Sequence, residues 1–406
     1  MTIENPITPE EIMQRANAMQ EQITTWRRTI HVTPELSFTE VQTARLVQSV
    51  LHELGIEAET GVGKTGVVGH IEGSGPVVGL RADMDALPIQ EENGSDFDSQ
   101  VAGIMHACGH DAHTAILMGA ATILKGFADE GRLPGSVRLL FQPSEENSDA
   151  EGKSGAVRMI EDGALKGLDA VFGLHVDSET EVGKMSTRAG GLLAAGDGVE
   201  ITVRGTGGHA AFPHRANDPT VLTAHLLLAI QNIVSRRVDP LETAVITIGT
   251  MHGGTASNVI PEEIKLTGTM RSMTPETREL LSKELRRACK VVEALGGEVD
   301  LTIHQRGTPT VNDADAAAVA FDGLRNVLGS DQVFERQPIM AGEDFAAMLQ
   351  EVPGAFMMLG VHNPEWKQEY RVHTPTFRMD ERALAIGAAG LVSTAIEWMH
   401  QKGKSA

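Results

Sequence analysis

The sequence predicts an α/β protein in which a largely parallel sheet, covered by helices, carries an inserted ferredoxin-like βαββαβ domain. Its 406 residues are too many for one typical core and indicate two domains. Short apolar runs alternate with helical patterns up to about residue 176, which is typical of a parallel sheet buried on both faces. Beyond residue 190 these runs give way to segments that alternate apolar and polar residues, as half-exposed strands do.

Two helices are predicted before the main strands. The segment TPEE (8–11) offers a capping threonine, a proline suited to the first helical position and a glutamate three residues after the cap. Apolar residues then recur every three or four positions from Ile12 to Ile30, which predicts one long helix with a single buried stripe. The second predicted helix begins at Thr39 and ends at Gly55.

The main sheet is predicted from three apolar runs, each followed by a polar cluster. The runs that read as strands are VVGL (77–80), VRLLF (137–141) and LDAVFGLHV (168–176). The segments between them that read as helices are HTAILMGAATILKGF (113–127) and SGAVRMIEDG (154–163). The polar clusters lie beyond the carboxyl ends of the strands, where α/β sheets place their active sites.

The inserted domain is predicted from the order of its elements. The glycine- and alanine-rich stretch RAGGLLAAGDG (188–198) reads as a linker. The elements after it are the strand VEITVRG (199–205), a helix over about 218–236, the strands TAVITIGTM and IKLTGTM, a helix over about 275–294, and the strand VDLTIHQ. This βαββαβ order is the split ferredoxin-like unit.

We therefore place the inserted domain at 190–304 and the main domain at 1–189 and 305–406. The second part of the main domain is predicted to contribute helices over about 313–328 and 380–400 and the apolar strand AFMMLG (355–360).

The composition argues against several classes of partner. Lys and Arg number 34 and Asp and Glu 55, so a net charge of −21 repels phosphate backbones and disfavours nucleic-acid binding. The start MTIENPITPE lacks the basic and apolar regions of a secretory signal, and no 18-residue apolar run indicates a membrane span. Two cysteines, Cys108 and Cys289, make no disulfide framework, so we expect a cytoplasmic protein.

The stretch MHACGHDAH (105–113) concentrates groups that carry chemistry. Cys108 and His110 alternate around Gly109, so in an extended segment both side chains share one face and suit one ion or two adjacent ions. A nucleophilic cysteine would need a base and an oxyanion hole, which the sequence leaves open. A redox thiol would need a nearby partner, and the plainest alternative is a polar helix start with Asp111 near the helix dipole.

Other polar residues follow the predicted strands. Glu145 and Glu146 are either a solvated turn or a metal ligand beside a general base. His175, within an apolar run, is either a hydrogen-bonded core residue or a ligand. Asp83 and Asp85 come after another strand, where they could simply begin a loop. Such residues at successive strand ends of one sheet together favour a metal site.

Eight motifs occur in a fixed order: RADMDALPIQEE, MHACGHDAH, FQPSEE, GLHV, GGHAAFPH, GGTASNVIP, AGEDFA and HTPTF. Together they resemble the aminoacylase/carboxypeptidase family of two-metal hydrolases. The resemblance is closest to its amidohydrolase branch, which includes hippurate hydrolases, auxin-conjugate hydrolases and N-acyl-amino-acid deacylases. It covers nearly the whole chain, from about Trp26 to Phe377.

The resemblance implies a two-metal site in the main, catalytic domain. It implies two divalent ions per subunit, Mn²⁺ or Zn²⁺, with Glu145 as the general base that activates a water on the metal. Asp83 resembles a carboxylate that orients a ligand histidine. The implied ligands, with Cys108 as a thiolate that could bridge the ions, are Cys108, His110, Glu146, His175 and His373. His106 and His113, which flank this set, are left outside it.

The same resemblance makes the inserted domain a lid and dimerisation domain. His209 resembles the residue that stabilises the oxyanion in the partner subunit's site of a homodimer. Asn258 and Arg271 resemble residues that bind the substrate carboxylate. The implied substrate is an N-acyl amino acid or short peptide-like amide, as in hippurate or an acetyl amino acid, with no nucleic-acid or membrane partner.

Three other functions stay open. A carboxypeptidase or dipeptidase could use the same scaffold, and a non-catalytic binding protein could retain the fold. A cysteine hydrolase would use Cys108 without a metal.

Overall fold

The computed structural model describes residues 6–403, which form two compact units. The first comprises the described residues up to Gly190, Asn312–Gln337 and the residues from Ala347 onward, and the second comprises Gly191–Val311 and Pro338–Ala346.

An eight-stranded sheet forms the centre of the first unit. Its strands, in order across the sheet, are Glu57–Val62, Gly66–Ile71, Ser136–Gln142, Val77–Asp83, Ala170–Glu181, Gly354–His362, Met185–Thr187 and Val333–Glu335. The third to sixth of these pair parallel to one another, whereas the first two form an antiparallel hairpin at one edge. The predicted largely parallel α/β sheet is therefore confirmed.

The sheet of the first unit is accompanied by helices, several of which the sequence predicts. The helices in these segments are Pro9–Ala18, Gln20–Val32, Val41–Glu53, His110–Asp129, Gly155–Glu161, Ala314–Leu328 and Ala383–Gly403. A further helix, Phe345–Glu351, begins in the second unit and continues in the first. The prediction of one unbroken helix from Ile12 to Ile30 is wrong, because the first helix ends at Ala18 and the next begins at Gln20. At Met19 the backbone N–H bonds back to the carbonyls of the preceding turn, while the apolar stripe continues across the break.

The carboxyl-terminal helix runs through the hydrophobic core. Ala383–Lys402 is, within residues 6–403, the one helix long and apolar enough to cross a membrane by length and composition. Of its most apolar window, 83% is buried inside the protein, where it packs on His110–Asp129 and Ala314–Leu328. No long apolar run stands out in the sequence here because glycine, serine, threonine and a glutamate interrupt the apolar residues.

The second unit is the predicted ferredoxin-like domain. Its antiparallel strands, in order across the sheet, are Ala244–His252, Glu263–Ser272, Ala195–Arg204 and Glu298–Arg306. Helices Pro219–Arg237 and Pro275–Ala294 pack their apolar residues against the sheet, and Val199, Ile201 and Val203 supply its buried face. A short strand pair, Gly208–His209 with Val259–Ile260, lies outside this sheet.

The stretch predicted as a linker is instead extended and buried. Leu192 and Leu193 are in strand Gly190–Leu193, and the long strand begins only two residues later at Ala195. Small side chains pack in buried strands as readily as they occur in linkers, so composition alone misleads here. Pro338–Ala346, which the sequence places in the main domain, belongs to the second unit because its backbone hydrogen-bonds that of Leu192.

A row of buried charged side chains fixes the start of helix His110–Asp129 in the first unit. Arg27 is 3% exposed, and its Nε lies 2.7 Å from Oδ2 of the fully buried Asp111. His31 lies 2.7 Å from the same oxygen through Nδ1 and 3.1 Å from Glu91 through Nε2. Burial alone would raise the pKa of Asp111, but Arg27 and His31 hold it well below its usual range. Asp111 is therefore ionised and paired.

We expect Arg27→Met to lower the free energy of unfolding by about 3–5 kcal/mol, because it leaves a buried carboxylate without its cation. Urea unfolding followed by circular dichroism measures this change. Arg28→Met is the matched control, since Arg28 is 47% exposed and its ion pair with Glu381 is worth at most about 1 kcal/mol. Equal destabilisation by the two variants would contradict the assignment.

Candidate metal centre

The candidate site lies at the carboxyl ends of the parallel strands in the first unit. Strand Val77–Asp83 leads directly to Asp85, and strand Ser136–Gln142 leads to Glu145 and Glu146. His175 lies within the neighbouring strand. Parallel strands end at one edge of the sheet, which is how residues distant in sequence are brought together.

The sulfur of Cys108 is the centre of this cluster. Its Sγ lies 3.3 Å from His175 Nε2 and 3.2 Å from His373 Nε2. Glu146 Oε1 lies 3.1 Å from the same His373 nitrogen. Two groups of three possible ligands share the sulfur, Cys108 with His110 and His175, and Cys108 with Glu146 and His373, and in each group the atoms lie within 4.8 Å of one another. The structure thus brings all five predicted ligands together.

The histidines are oriented as metal ligands usually are. His110 Nδ1 lies 2.8 Å from the Asp85 carbonyl oxygen and 3.2 Å from its carboxylate, while Nε2 is buried without a hydrogen-bond partner. His175 Nδ1 bonds the Val176 carbonyl at 2.7 Å, and its Nε2 faces Cys108. An imidazole whose Nδ1–H is occupied leaves Nε2 to bind a cation. Together with sulfur and carboxylate, these nitrogens fit Zn²⁺ or Mn²⁺.

Cys108 is poorly suited to act as a free nucleophile. Burial raises the pKa of its thiol well above the ordinary value, and Glu145 and Glu146 add to this while His110 opposes it. Catalytic cysteines instead lie in electropositive, partly exposed surroundings that lower the pKa. A buried thiol ionises readily beside a divalent cation, so these surroundings suit a ligand better than a nucleophile.

Asp83 contacts a different histidine from the predicted ligands. Its Oδ1 accepts a hydrogen bond from His113 Nδ1 at 2.6 Å, and its Oδ2 accepts one from Arg81 at 2.8 Å. His113 Nε2 in turn accepts the Val176 N–H at 2.9 Å. Burial lowers the pKa of His113 to about 4 although Asp83 opposes it, so the ring is neutral with its proton on Nδ1. Asp83 Oδ2 lies 3.6 Å from His110 Nε2.

Asp85 makes the contacts that were expected of Asp83. Besides His110, its two carboxylate oxygens accept the backbone N–H groups of Glu145 at 3.0 Å and Glu146 at 3.1 Å. One side chain therefore orients a ligand histidine and the loop with both glutamates. The sequence showed only that Asp85 lies two residues beyond Asp83. The path of the loop, which turns Asp85 toward His110, could not be predicted from that spacing.

In the second unit, two of the predicted residues lie beside each other at a short antiparallel strand pair. His209 is exposed, and it pairs with Val259 in the strand register. The carbonyl of Asn258 accepts a hydrogen bond from the N–H of Ala210, the residue after His209, at 3.0 Å. Arg271 lies on the central sheet instead, where its Nη1 donates to the Met340 carbonyl at 2.8 Å. His209 and Asn258 are thus brought together, and Arg271 lies in a different sheet from them.

Comparison with known proteins identifies the family of this chain. The model of peptidase family M20/M25/M40 matches residues 79–397. The chain belongs to this family. The resemblance to two-metal hydrolases is therefore confirmed, and the protein is an enzyme of the hydrolase class.

Curated members of the family are similar over nearly all of the chain. The IAA-amino acid hydrolase ILR1-like 2 of Arabidopsis thaliana is 40% identical over 93% of this chain and 85% of its own length. The N-acetyl-L-cysteine deacetylase of Bacillus subtilis (strain 168) is 39% identical over 93% of this chain and 88% of its own length. Thermostable carboxypeptidase 2 of Saccharolobus solfataricus is 38% identical over 97% of this chain and 99% of its own length.

A solved structure of the family shares the fold. The YXEP protein of Bacillus subtilis, described as a dinuclear metal binding peptidase from the M20 family, is 32% identical with a TM-score of 0.81. The match covers 95% of this chain and 99% of that one.

We expect Asp85→Asn to weaken binding of Mn²⁺ or Zn²⁺ by about 10–100-fold, the usual effect of removing a partner of a ligand histidine. An amide accepts through one oxygen only, so one loop N–H loses its partner. Calorimetric titration of the metal-free protein measures the affinity. Ser37→Ala is the control, because Ser37 donates to Asp85 Oδ2 at 2.7 Å without touching the histidine or the loop. Unchanged affinity in Asp85→Asn would refute this role.

Proposed function

We propose that the protein hydrolyses the amide bond of N-acyl amino acids, with two divalent ions, Mn²⁺ or Zn²⁺, held by the five ligands around Cys108. The observation that carries this proposal is the sharing of the Cys108 sulfur by two ligand groups, which suits two adjacent cations. The printed names of two relatives, a hydrolase of IAA-amino acids and a deacetylase of N-acetyl-L-cysteine, support this substrate class.

Glu145 is the proposed general base. When bound, the two ions would polarise the amide carbonyl and acidify a water molecule. Glu145 would take the proton from that water and deliver it to the leaving nitrogen. Its carboxylate is half-buried and within 4.8 Å of the ligand atoms of His110 and Glu146, and its backbone is held by Asp85.

His209 is the proposed oxyanion donor, acting in the site of the partner subunit of a homodimer. Its Nδ1 accepts the Ala211 N–H at 3.0 Å, so the neutral ring carries its proton on Nε2 and can donate from there. Asn258 and Arg271 are proposed to bind the substrate carboxylate, for which a guanidinium is suited. Asp83 is proposed to act on the site through His113 and Arg81.

The proposed setting is the cytoplasm, with a small-molecule substrate and neither nucleic acid nor membrane as a partner. The net charge of −21 repels phosphate-rich surfaces, and the cytoplasmic setting is proposed because the two cysteines are unpaired.

A carboxypeptidase or dipeptidase activity is the second candidate, favoured by the similarity to thermostable carboxypeptidase 2. The two candidate activities are distinguished by comparing kcat/KM for acetyl-amino acids, benzoyl-amino acids and dipeptides.

We expect the metal-loaded protein to turn over N-acyl amino acids, and Glu145→Gln to lower kcat by about 10²–10⁴-fold because the base is lost. Elemental analysis should show unchanged metal content, since Glu145 is not one of the five ligands. Glu151→Gln, which changes a carboxylate that is 68% exposed, should retain wild-type kcat. An active Glu145→Gln enzyme would refute the base, and turnover that survives metal removal would refute the metal site.

We expect His209→Ala to lower kcat without emptying the metal site. Mixing it with Glu145→Gln should restore activity if the histidine acts in the partner's site. Random mixing makes about half of the dimers mixed with one complete site each, so about a quarter of sites should work. Verified mixed dimers that remain inactive would exclude sharing of His209 across the interface.

A further inference from the structure

Three strained backbone positions surround one buried carboxylate, Glu40. Among residues 6–403, the non-glycine residues with a left-handed backbone are Phe38 at φ 60°, Lys64 at φ 85°, Ser144 at φ 48° and His373 at φ 61°. The first three lie in separate segments that meet at Glu40. L-residues adopt this conformation at a cost and keep it only where the surroundings enforce it.

Glu40 is the group that these segments have in common. Its side chain is fully buried, and Oε1 accepts the backbone N–H of Phe38 at 2.9 Å and that of Ser144 at 2.8 Å. Oε2 accepts the hydroxyl of Thr65, the neighbour of Lys64. The Lys64 ammonium also lies 4.4 Å from the centre of the Phe38 ring.

The Ser144 contact connects Glu40 to the loop that carries Glu145 and Glu146. Three consecutive backbone N–H groups are held by two buried carboxylates: that of Ser144 by Glu40, and those of Glu145 and Glu146 by Asp85. On its other side, the Ser144 carbonyl accepts the N–H of Gly155 at 2.8 Å. The backbone of the proposed base and of a proposed ligand therefore starts from a strained residue that Glu40 holds.

We propose that Glu40 is a positioning residue, whose carboxyl holds Ser144 in the left-handed conformation and thereby fixes Glu145 and Glu146 for catalysis. This role rests on the proposed amide hydrolysis, because it acts through the base and a ligand. The hydrogen bonds of the Glu40 carboxyl go to Phe38, Thr65 and Ser144, none of which is a proposed ligand. Glu40 acts by accepting hydrogen bonds, so a neutral side chain with an oxygen in the same place should retain its function.

Glu40→Gln is therefore the conservative variant. Burial raises the pKa of Glu40 to about 7, with hydrogen bonds from Thr65 and Ser144 opposing and the charge of Asp85 adding to it. In either protonation state an oxygen remains to accept the two backbone N–H groups. Glutamine keeps that oxygen, leucine removes it at similar size, and aspartate shortens the reach by one carbon.

We expect Glu40→Leu and Glu40→Asp to lower the kcat of the folded, metal-loaded protein by about 10–100-fold, the effect of displacing a catalytic group by about 1 Å. Glu40→Gln should restore most of that kcat. Glu35→Leu is the matched control: its half-buried carboxylate also accepts two backbone N–H groups, from Gln42 and Thr43, but none from the loop. If Glu35→Leu lowers kcat equally, or Glu40→Leu and Glu40→Asp both retain it, the proposal is overturned.

Ser144 allows a sharper comparison in the Glu40→Asp background. Ser144→Gly removes the conformational penalty, whereas Ser144→Ala removes the hydroxyl and keeps the penalty. If Glu40 acts by enforcing the left-handed backbone, glycine should recover about tenfold more kcat than alanine does. Equal recovery by the two would show that Glu40 acts in another way and overturn the proposal.

Hydrogen exchange separates this proposal from the proposed function. Exchange at the amides of residues 144–146, followed by mass spectrometry, should be faster in Glu40→Leu and Glu40→Asp than in wild type and unchanged in Glu35→Leu. This readout needs no turnover. A wild-type protein inactive on every N-acyl amino acid would refute the proposed function and leave exchange to decide the positioning, whereas unchanged exchange would refute the positioning.

Discussion

Carboxylates without access to solvent determine how the candidate metal centre is built. An ionised carboxylate that is removed from water must be paired or accept several hydrogen bonds, or it loses its charge. Asp85 meets this requirement with His110 and the N–H groups of two loop residues, and Asp83 meets it with Arg81 and His113. Each hydrogen-bonded or ion-paired carboxylate holds the segment that carries its partner. The need to pair these carboxylates therefore also fixes the direction of the ligand side chains.

The same requirement links the site to elements far from it in sequence. Asp111, the residue after His110, is paired with Arg27 and His31 of the second helix. Near the end of the chain, the N–H of His373 bonds the Ala107 carbonyl at 2.7 Å, and His373 itself has a left-handed backbone at φ 61°. Backbone strain of this kind persists where surrounding contacts enforce it, as they do at His373.

Periodicity and residue type predicted the sheet and the inserted domain, and the resemblance to the hydrolase family supplied the set of ligands that the structure gathers. They failed where the path of a loop decides direction. Asp83 and Asp85 are equivalent as sequence, but it is Asp85 that contacts His110 Nδ1, whereas Asp83 lies 3.6 Å from Nε2 and hydrogen-bonds His113. Glu40 looks like an ordinary helix start, and its partner Ser144 lies 104 residues away. The break at Met19 is invisible because the apolar stripe crosses it, and the buried strand at Leu192 has the composition of a linker.

The charge of the cluster explains why cations suit it. Glu146 Oε1 and the sulfur of Cys108 both lie close to His373 Nε2, and Glu145 lies within 4.8 Å of the ligand atoms of His110 and Glu146. Two divalent cations would compensate a thiolate and these two carboxylates in a way that neutral imidazoles cannot. Arg81 is a buried positive charge near the site, and it donates to Asp83 Oδ2, whereas His113 donates to Oδ1 of the same carboxylate. The site is therefore rich in sulfur, nitrogen and carboxylate donors of the kinds that bind divalent cations.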